Sequence, residues 1–175
     1  MEYLKPAEFD LIMTVFRILF GLTFAAHGYA KVFRGGRLAG TAGWFDSIGM
    51  RPGALHARLA AGTEIGTGLL MAIGFLTPFA AAGIVGVMIV AGWTVHRSNG
   101  FFIVSEGWEY TFIVALIAIA IAGLGAGAWS VDEAIGLGEL NGYAGLAIAA
   151  GLGAVAGIGQ LAIFYRPPAP QSADA

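Results

Sequence analysis

The sequence predicts an all-α, polytopic membrane bundle with five spanning helices. Three observations carry that reading. The 175-residue chain is 58% hydrophobic and only 11% charged, with a mean hydropathy of +0.79, whereas a soluble domain carries about 25% charged residues. Its apolar residues fall in runs of about 20, the length a helix needs to cross ~30 Å of hydrocarbon. Lysine and arginine also collect on one side of those runs, as they do in cytoplasmic loops.

The elements follow in order. Met1–Asp10 is polar and acidic (Glu2, Glu8, Asp10) and lacks the positive start and small-residue cleavage site of a signal peptide, so the first helix is expected to be retained. Pro6 suits a helix start. Helix one is expected from about Phe9 to Phe33, after an N-terminal extracytoplasmic segment, residues 1–8. A cytoplasmic loop, 34–53, follows; Trp44, Phe45, Ile48 and Met50 beside Asp46 and Ser47 predict a short amphipathic piece lying in the interface. Helix two is expected over Ala54–Phe75 and helix three over Phe79–Val95, with Thr77-Pro78 as a tight turn between them. Helix four follows over Trp108–Ala126, after a loop carrying Phe101 and Phe102. An acidic, glycine-rich connection with Asp132, Glu133 and Glu139 leads to helix five, residues 143–165. The proline-rich tail, 166–175, reads as a disordered cytoplasmic segment.

Of the nine lysines and arginines, Lys31, Arg34, Arg37, Arg51, Arg58, Arg97 and Arg166 fall on one side and Lys5 on the other, with Arg17 inside a span. This predicts a bacterial inner-membrane protein with its N-terminus outside and its C-terminus in the cytoplasm. The net charge of -2 gives no signal for nucleic acid, and the absence of cysteine removes thiol and disulfide chemistry. The 28 glycines point to close helix contact in lipid, with small-xxx-small pairs at Gly62/Gly66, Gly123/Gly127 and Gly153/Gly157. Helix five, nearly all Ala and Gly, reads as a packing element with no chemistry of its own. Trp44, Trp93, Trp108 and Trp129 sit near span ends, as an aromatic belt does.

The segment Arg17–Lys31 carries the candidate chemistry. At 100° per residue Arg17, Gly21, Phe24, Gly28 and Lys31 share one stripe, within roughly 40° of Arg17 on either side. A stripe with two cations belongs inside a bundle, and ionisable groups there are functional candidates by default. Matching depths gives two polar layers. The deeper holds Arg17 and Glu64, which would form an ion pair fixing helix register. The other holds His27, Lys31, His96, Glu109 and Tyr110 near the cytoplasmic interface. Blander readings stand beside this: His27 and Lys31 as a snorkelling pair, and His96-Arg97 as a helix-end anchor. Among sharper ones, haem ligation by His27 and His96 and a metal site from His27, His96 and Glu109 have little support, because the histidines lie at helix ends and the spacing carries no motif. A quinone-head pocket asks for a His or Tyr donor, a carboxylate and an apolar channel, which this layer offers.

These motifs resemble the DoxX family. The spacing R-x3-G-x5-H-G-x2-K at Arg17, Gly21, His27, Gly28 and Lys31 is followed by E-x3-G-x5-G-x2-T at Glu64, Gly68, Gly74 and Thr77. Then come His96, Gly100-Phe101, Glu109-Tyr110 and the stretch Gly125 to Asp132, similar to the family's closing Ser-x-Asp element. The resemblance implies a four-helix membrane core over residues 9–132, to which 143–165 adds a fifth helix. It also implies a redox-associated membrane complex, quinone-linked in some members, with superoxide dismutase and a sulfurtransferase as partners in others. Ala126 and Ala128, where the family often has proline and arginine, and the fifth helix depart from its pattern. A non-catalytic scaffold or assembly partner is the alternative. A small-molecule transporter is less well supported, since the chain lacks an inverted repeat and Pro-broken spans.

Overall fold

In the computed structural model, residues 5–167 are described and form an all-α bundle. The expectations for residues 1–4 and, within the tail, for 168–175 lie outside them. Helix α1, Pro6–Phe33, starts on proline as its sequence dictates. Its 28 residues span about 42 Å. Its buried stripe is Met13, Arg17, Gly21, Phe24, Ala25 and Gly28. The opposite face exposes Leu11, Ile12, Val15, Phe16, Leu19 and Leu22, a surface suited to lipid rather than water.

Helix α2, Arg37–Ser47, is the amphipathic piece, longer at its start than the aromatic residues alone indicate. Phe45 and Met50 turn inward with Ala57 and Val90, while Trp44 stays exposed. The Asp46 carboxylate accepts the Gly53 N–H at 2.7 Å, tying α2 to the start of α3, Gly53–Ile73.

Helices α1 and α3 are antiparallel and meet backbone to backbone. A Cβ on Gly21 would lie 2.7 Å from the Ala72 nitrogen, and one on Gly68 would lie 2.6 Å from the Ala25 nitrogen. Glycine at both positions is therefore required by the close approach. This contact sets the register: each step up α1 is a step down α3, with Gly21 beside Ala72 and Gly28 beside Glu64.

Helix α3 ends at Gly74 in the left-handed conformation. Thr77-Pro78 is not the turn that the sequence reading placed there. Gly74, Phe75 and Leu76 make it, and Thr77 and Pro78 open α4, Thr77–Ala91. Proline lacks only an N–H that the first turn leaves unpaired anyway. Helix α4 is the centre of the bundle, with ten of its 15 residues buried. It continues through a π-helical turn, Gly92–His96, and a 3-10 turn, Arg97–Asn99. Helix α5, Glu109–Leu124, packs on it. A short α6, Val131–Ala134, precedes the last rod. That rod is α7, Gly142–Ala147, a π-helical turn at Ile148–Leu152, and α8, Gly153–Phe164.

Gly153 and Gly157 lie against α4. A Cβ on either would meet the backbone, at 2.9 Å from the Ala82 and Gly86 carbonyl oxygens respectively. Three helical stretches, Pro6–Phe33, Thr77–Asn99 and Gly142–Phe164, are long and apolar enough to cross a membrane, and Glu109–Leu124 is a shorter apolar helix. Helix α3, which carries Arg58 and Glu64, packs against α1 and α4 along one side. The architecture is a helical membrane bundle.

Candidate functional site

The register puts Glu64 beside Gly28, about three helical turns or ~16 Å of rise from Arg17. They do not pair, which corrects the expected deep ion pair. Arg17, 2% exposed, spends its guanidinium on backbone. Its Nε donates to the Ala126 carbonyl at 2.9 Å, and its Nη groups donate to the Ala72 and Trp129 carbonyls. The Ala72 carbonyl belongs to the last turn of α3, where acceptors lack helical partners and a cation is favoured.

Asp132, 4% exposed, does the converse. Its carboxylate accepts the Leu76 and Thr77 N–H groups at 2.7 and 2.9 Å, at the start of α4. The Asp132 N–H donates to the Gly74 carbonyl at 2.8 Å. Asp10 accepts the Ala128 N–H at 2.8 Å. Gly74 sits inside this knot at φ +66, where an added Cβ would lie 2.6 Å from Ser130 Cβ and 3.0 Å from Arg17 Cζ. The knot ties the 125–132 segment across the ends of α1, α3 and α4. With its charges spent on main-chain groups, it offers no free donor set for a ligand.

The other end of α1 is organised through side chains. Lys31 Nζ donates to both carboxylate oxygens of Glu64, at 2.7 and 2.6 Å. Glu64 is nearly buried and Lys31 about a quarter exposed. The four-carbon stem of Lys31 lets it reach back over Gly28, whose missing side chain makes room: a Cβ there would lie 2.9 Å from Glu64 Cβ.

This ion pair lines a half-open cavity of about 110 Å³, comparable to engineered cavities of ~150 Å³ that take a benzene ring. Trp44 and Phe45 of α2, Leu59 and Ala60 of α3, and Val87 and Val90 of α4 give it apolar walls. Thr63, Thr94 and Gln160 supply further polar atoms.

The remaining candidates divide up. Tyr110 Oη and His27 Nε2 are 3.1 Å apart with near-parallel rings, at an exposed seam between α5 and α1. His96 Nδ1 donates to the Glu106 carbonyl at 2.7 Å. Glu109 accepts the Ile103 N–H at 2.8 Å and so closes its own loop. His27, His96 and Glu109, grouped in sequence as one cofactor-binding set, therefore have separate partners. Among the described residues no three His, Asp or Glu side chains converge as metal ligands, and the expected five-membered layer is two pairs and two loop clasps. Arg97 lies over the Trp93 ring, 4.0 Å from its centroid, as suits an interfacial anchor.

Two residues escape the sequence reading. His56 is fully buried on α3, and its Nδ1 lies 2.9 Å from Nε2 of Gln160 on α8. The ring is held by Phe164, at 4.9 Å between centroids, and Phe45, at 6.0 Å. The signal for this was a lone amide in an otherwise Ala/Gly-rich span, where an interhelical hydrogen bond is the expected reason for it. Helix five is thus more than packing: it contributes to the cavity wall.

Residues 12–97 match the DoxX family model. That match takes in α1–α4, and with them Arg17, His27, Lys31, His56, Glu64 and His96; Tyr110 and Gln160 lie beyond it. No curated protein and no solved structure matches the chain. With its apolar helices, the chain is a multi-pass membrane protein with a DoxX-family region over residues 12–97.

Proposed function

We propose that this chain is a membrane subunit of a redox-associated assembly in the bacterial inner membrane, and that its Lys31–Glu64 cavity holds the head ring of a quinone-type lipid. One observation carries the reading: an apolar cavity the size of a ring, with one ion pair and a few neutral polar groups on its wall. An ion pair is neutral overall, so the site favours a neutral head over a charged one. Lys31 has a third N–H for a ring carbonyl, and Glu64 can exchange a proton with a ring oxygen. The apolar walls suit the ring and the start of a tail. In this reading a partner subunit supplies the electrons, and this chain positions the ring and handles protons. The lysine and arginine counts support a position for the cavity toward the cytoplasmic face.

The test uses the full chain in detergent micelles with decylubiquinone as probe, followed by quenching of tryptophan fluorescence, since Trp44 borders the cavity. Saturable quenching that Trp44→Phe removes, and that Ala60→Phe abolishes by filling the cavity, is the expected result. Quenching untouched by Ala60→Phe would remove the reading. A second reading, a scaffold that binds only protein, draws on one feature: Gly62 and Gly66 on α3 have open space where a side chain would be, so another helix can approach there. Absence of probe binding, with cavity variants still assembling, would favour it.

A further inference from the structure

Gln160 lies outside the family match, yet it shares the cavity with Lys31 and Glu64. Its orientation follows from chemistry. An amide nitrogen has no lone pair to offer, so across the 2.9 Å contact Nε2 donates and His56 Nδ1 accepts. The imidazole proton is then on Nε2, assigned from the hydrogen-bond geometry. The ring is 0% exposed and fixed between two phenyl rings, so it has no room to turn.

The carboxamide oxygen of Gln160 is left with no hydrogen-bond partner among the described residues. The Nε2 contact to His56 is the hydrogen bond this side chain makes there. The bond ties α8 to α3, and it leaves the carboxamide oxygen of a cavity-lining residue available to a ligand.

We infer that Gln160 is a specificity-determining residue and His56 the positioning residue behind it: the carboxamide oxygen accepts a hydrogen bond from a ring hydroxyl, so the cavity prefers the dihydroxy form of its ligand to the dione. This rests on the cavity being a ring-head site. A dione presents only acceptors and sets lone pairs against the Gln160 oxygen. A diol presents a donor. One neutral hydrogen bond gained, with a repulsion removed, corresponds to about tenfold in affinity.

The experiment measures affinities of decylubiquinol and decylubiquinone for the full-length protein in detergent by titration calorimetry under argon. The wild type is expected to bind the quinol about tenfold more tightly. Gln160→Met keeps the bulk but loses the acceptor; it should erase the preference by bringing the two affinities together. His56→Phe frees the amide to turn and should lower the preference while the quinone still binds. Each variant's thermal melt checks its folding, and Gln160→Met suffices if His56→Phe does not fold. A wild type that binds the quinone as tightly as the quinol would overturn the inference, as would a preference that survives in Gln160→Met. Loss of both probes from the wild type would instead remove the ring-head site itself, and this inference with it.

Discussion

The two ends of α1 carry the same kind of residue in the same stripe and use it differently. At one end Arg17 meets three carbonyl oxygens, and Asp132 and Asp10 meet backbone N–H groups. At the other, Lys31 meets the Glu64 side chain and Tyr110 meets His27, with a cavity alongside the ion pair. Burial does not separate them, since Arg17, Asp132 and Glu64 are all nearly buried. What separates them is the partner. A charge satisfied by main-chain groups at helix ends is committed to holding those ends. A charge satisfied by another side chain beside an open volume keeps lone pairs and protons for a third group.

Substitutions can break or sharpen that contrast. The largest effect is expected at Arg17. Arg17→Met strands three carbonyls and frees the 125–132 segment, which should cost about 3–5 kcal/mol and much of the folded yield. Arg17→Lys should recover only part of it, because a point charge cannot serve three acceptors in a fixed fork. Thermal unfolding in detergent reads both; a neutral Arg17→Met would show that the knot is not structural.

Asp132→Ala comes next, removing the cap on α4 at about 1–2 kcal/mol. It should leave decylubiquinone binding in place. A loss of binding in folded Asp132→Ala would erase the distinction between the ends.

The ion pair should behave in the opposite sense. Replacing both partners, Lys31→Met with Glu64→Leu, leaves no orphaned charge and should change stability by less than about 1 kcal/mol, while probe affinity falls about tenfold or more. Strong destabilisation with unchanged affinity would make this end structural too. Tyr110→Phe gives the smallest effect, about 0.5 kcal/mol or less, because its hydrogen bond to His27 is exposed. A melting temperature shifted by more than a few degrees would show that the α1–α5 seam matters more than its exposure indicates.

Much of the site was legible before any coordinates. Gly21, Phe24 and Gly28 are buried on the stripe that the helical period draws, and Lys31 and Glu64 are polar groups that an apolar span obliges to find partners. The pairing was not legible. A sequence gives the face of a residue on its own helix, but the height of one helix against another comes from where they touch. Here the Gly21–Gly68 contact decides it, and it sends Arg17 to the end of α3 and Glu64 toward Lys31.

Gln160 and His56 stayed hidden for the same reason: they are 104 residues apart and become neighbours only because Gly153 and Gly157 let α8 lie against α4.

The sequence by itself determined that this chain is a helical membrane bundle, where its helices run to within a few residues, and which side chains are too polar for lipid. Hydrophobic length, helical period and terminal prolines are local properties and leave little freedom there. Only the tertiary structure decided which polar groups meet. That choice depends on the rotation and height of packed helices, set by close backbone contacts at a few glycines. The same packing opened the cavity between α2, α3, α4 and α8, and no segment of the chain encodes that space on its own.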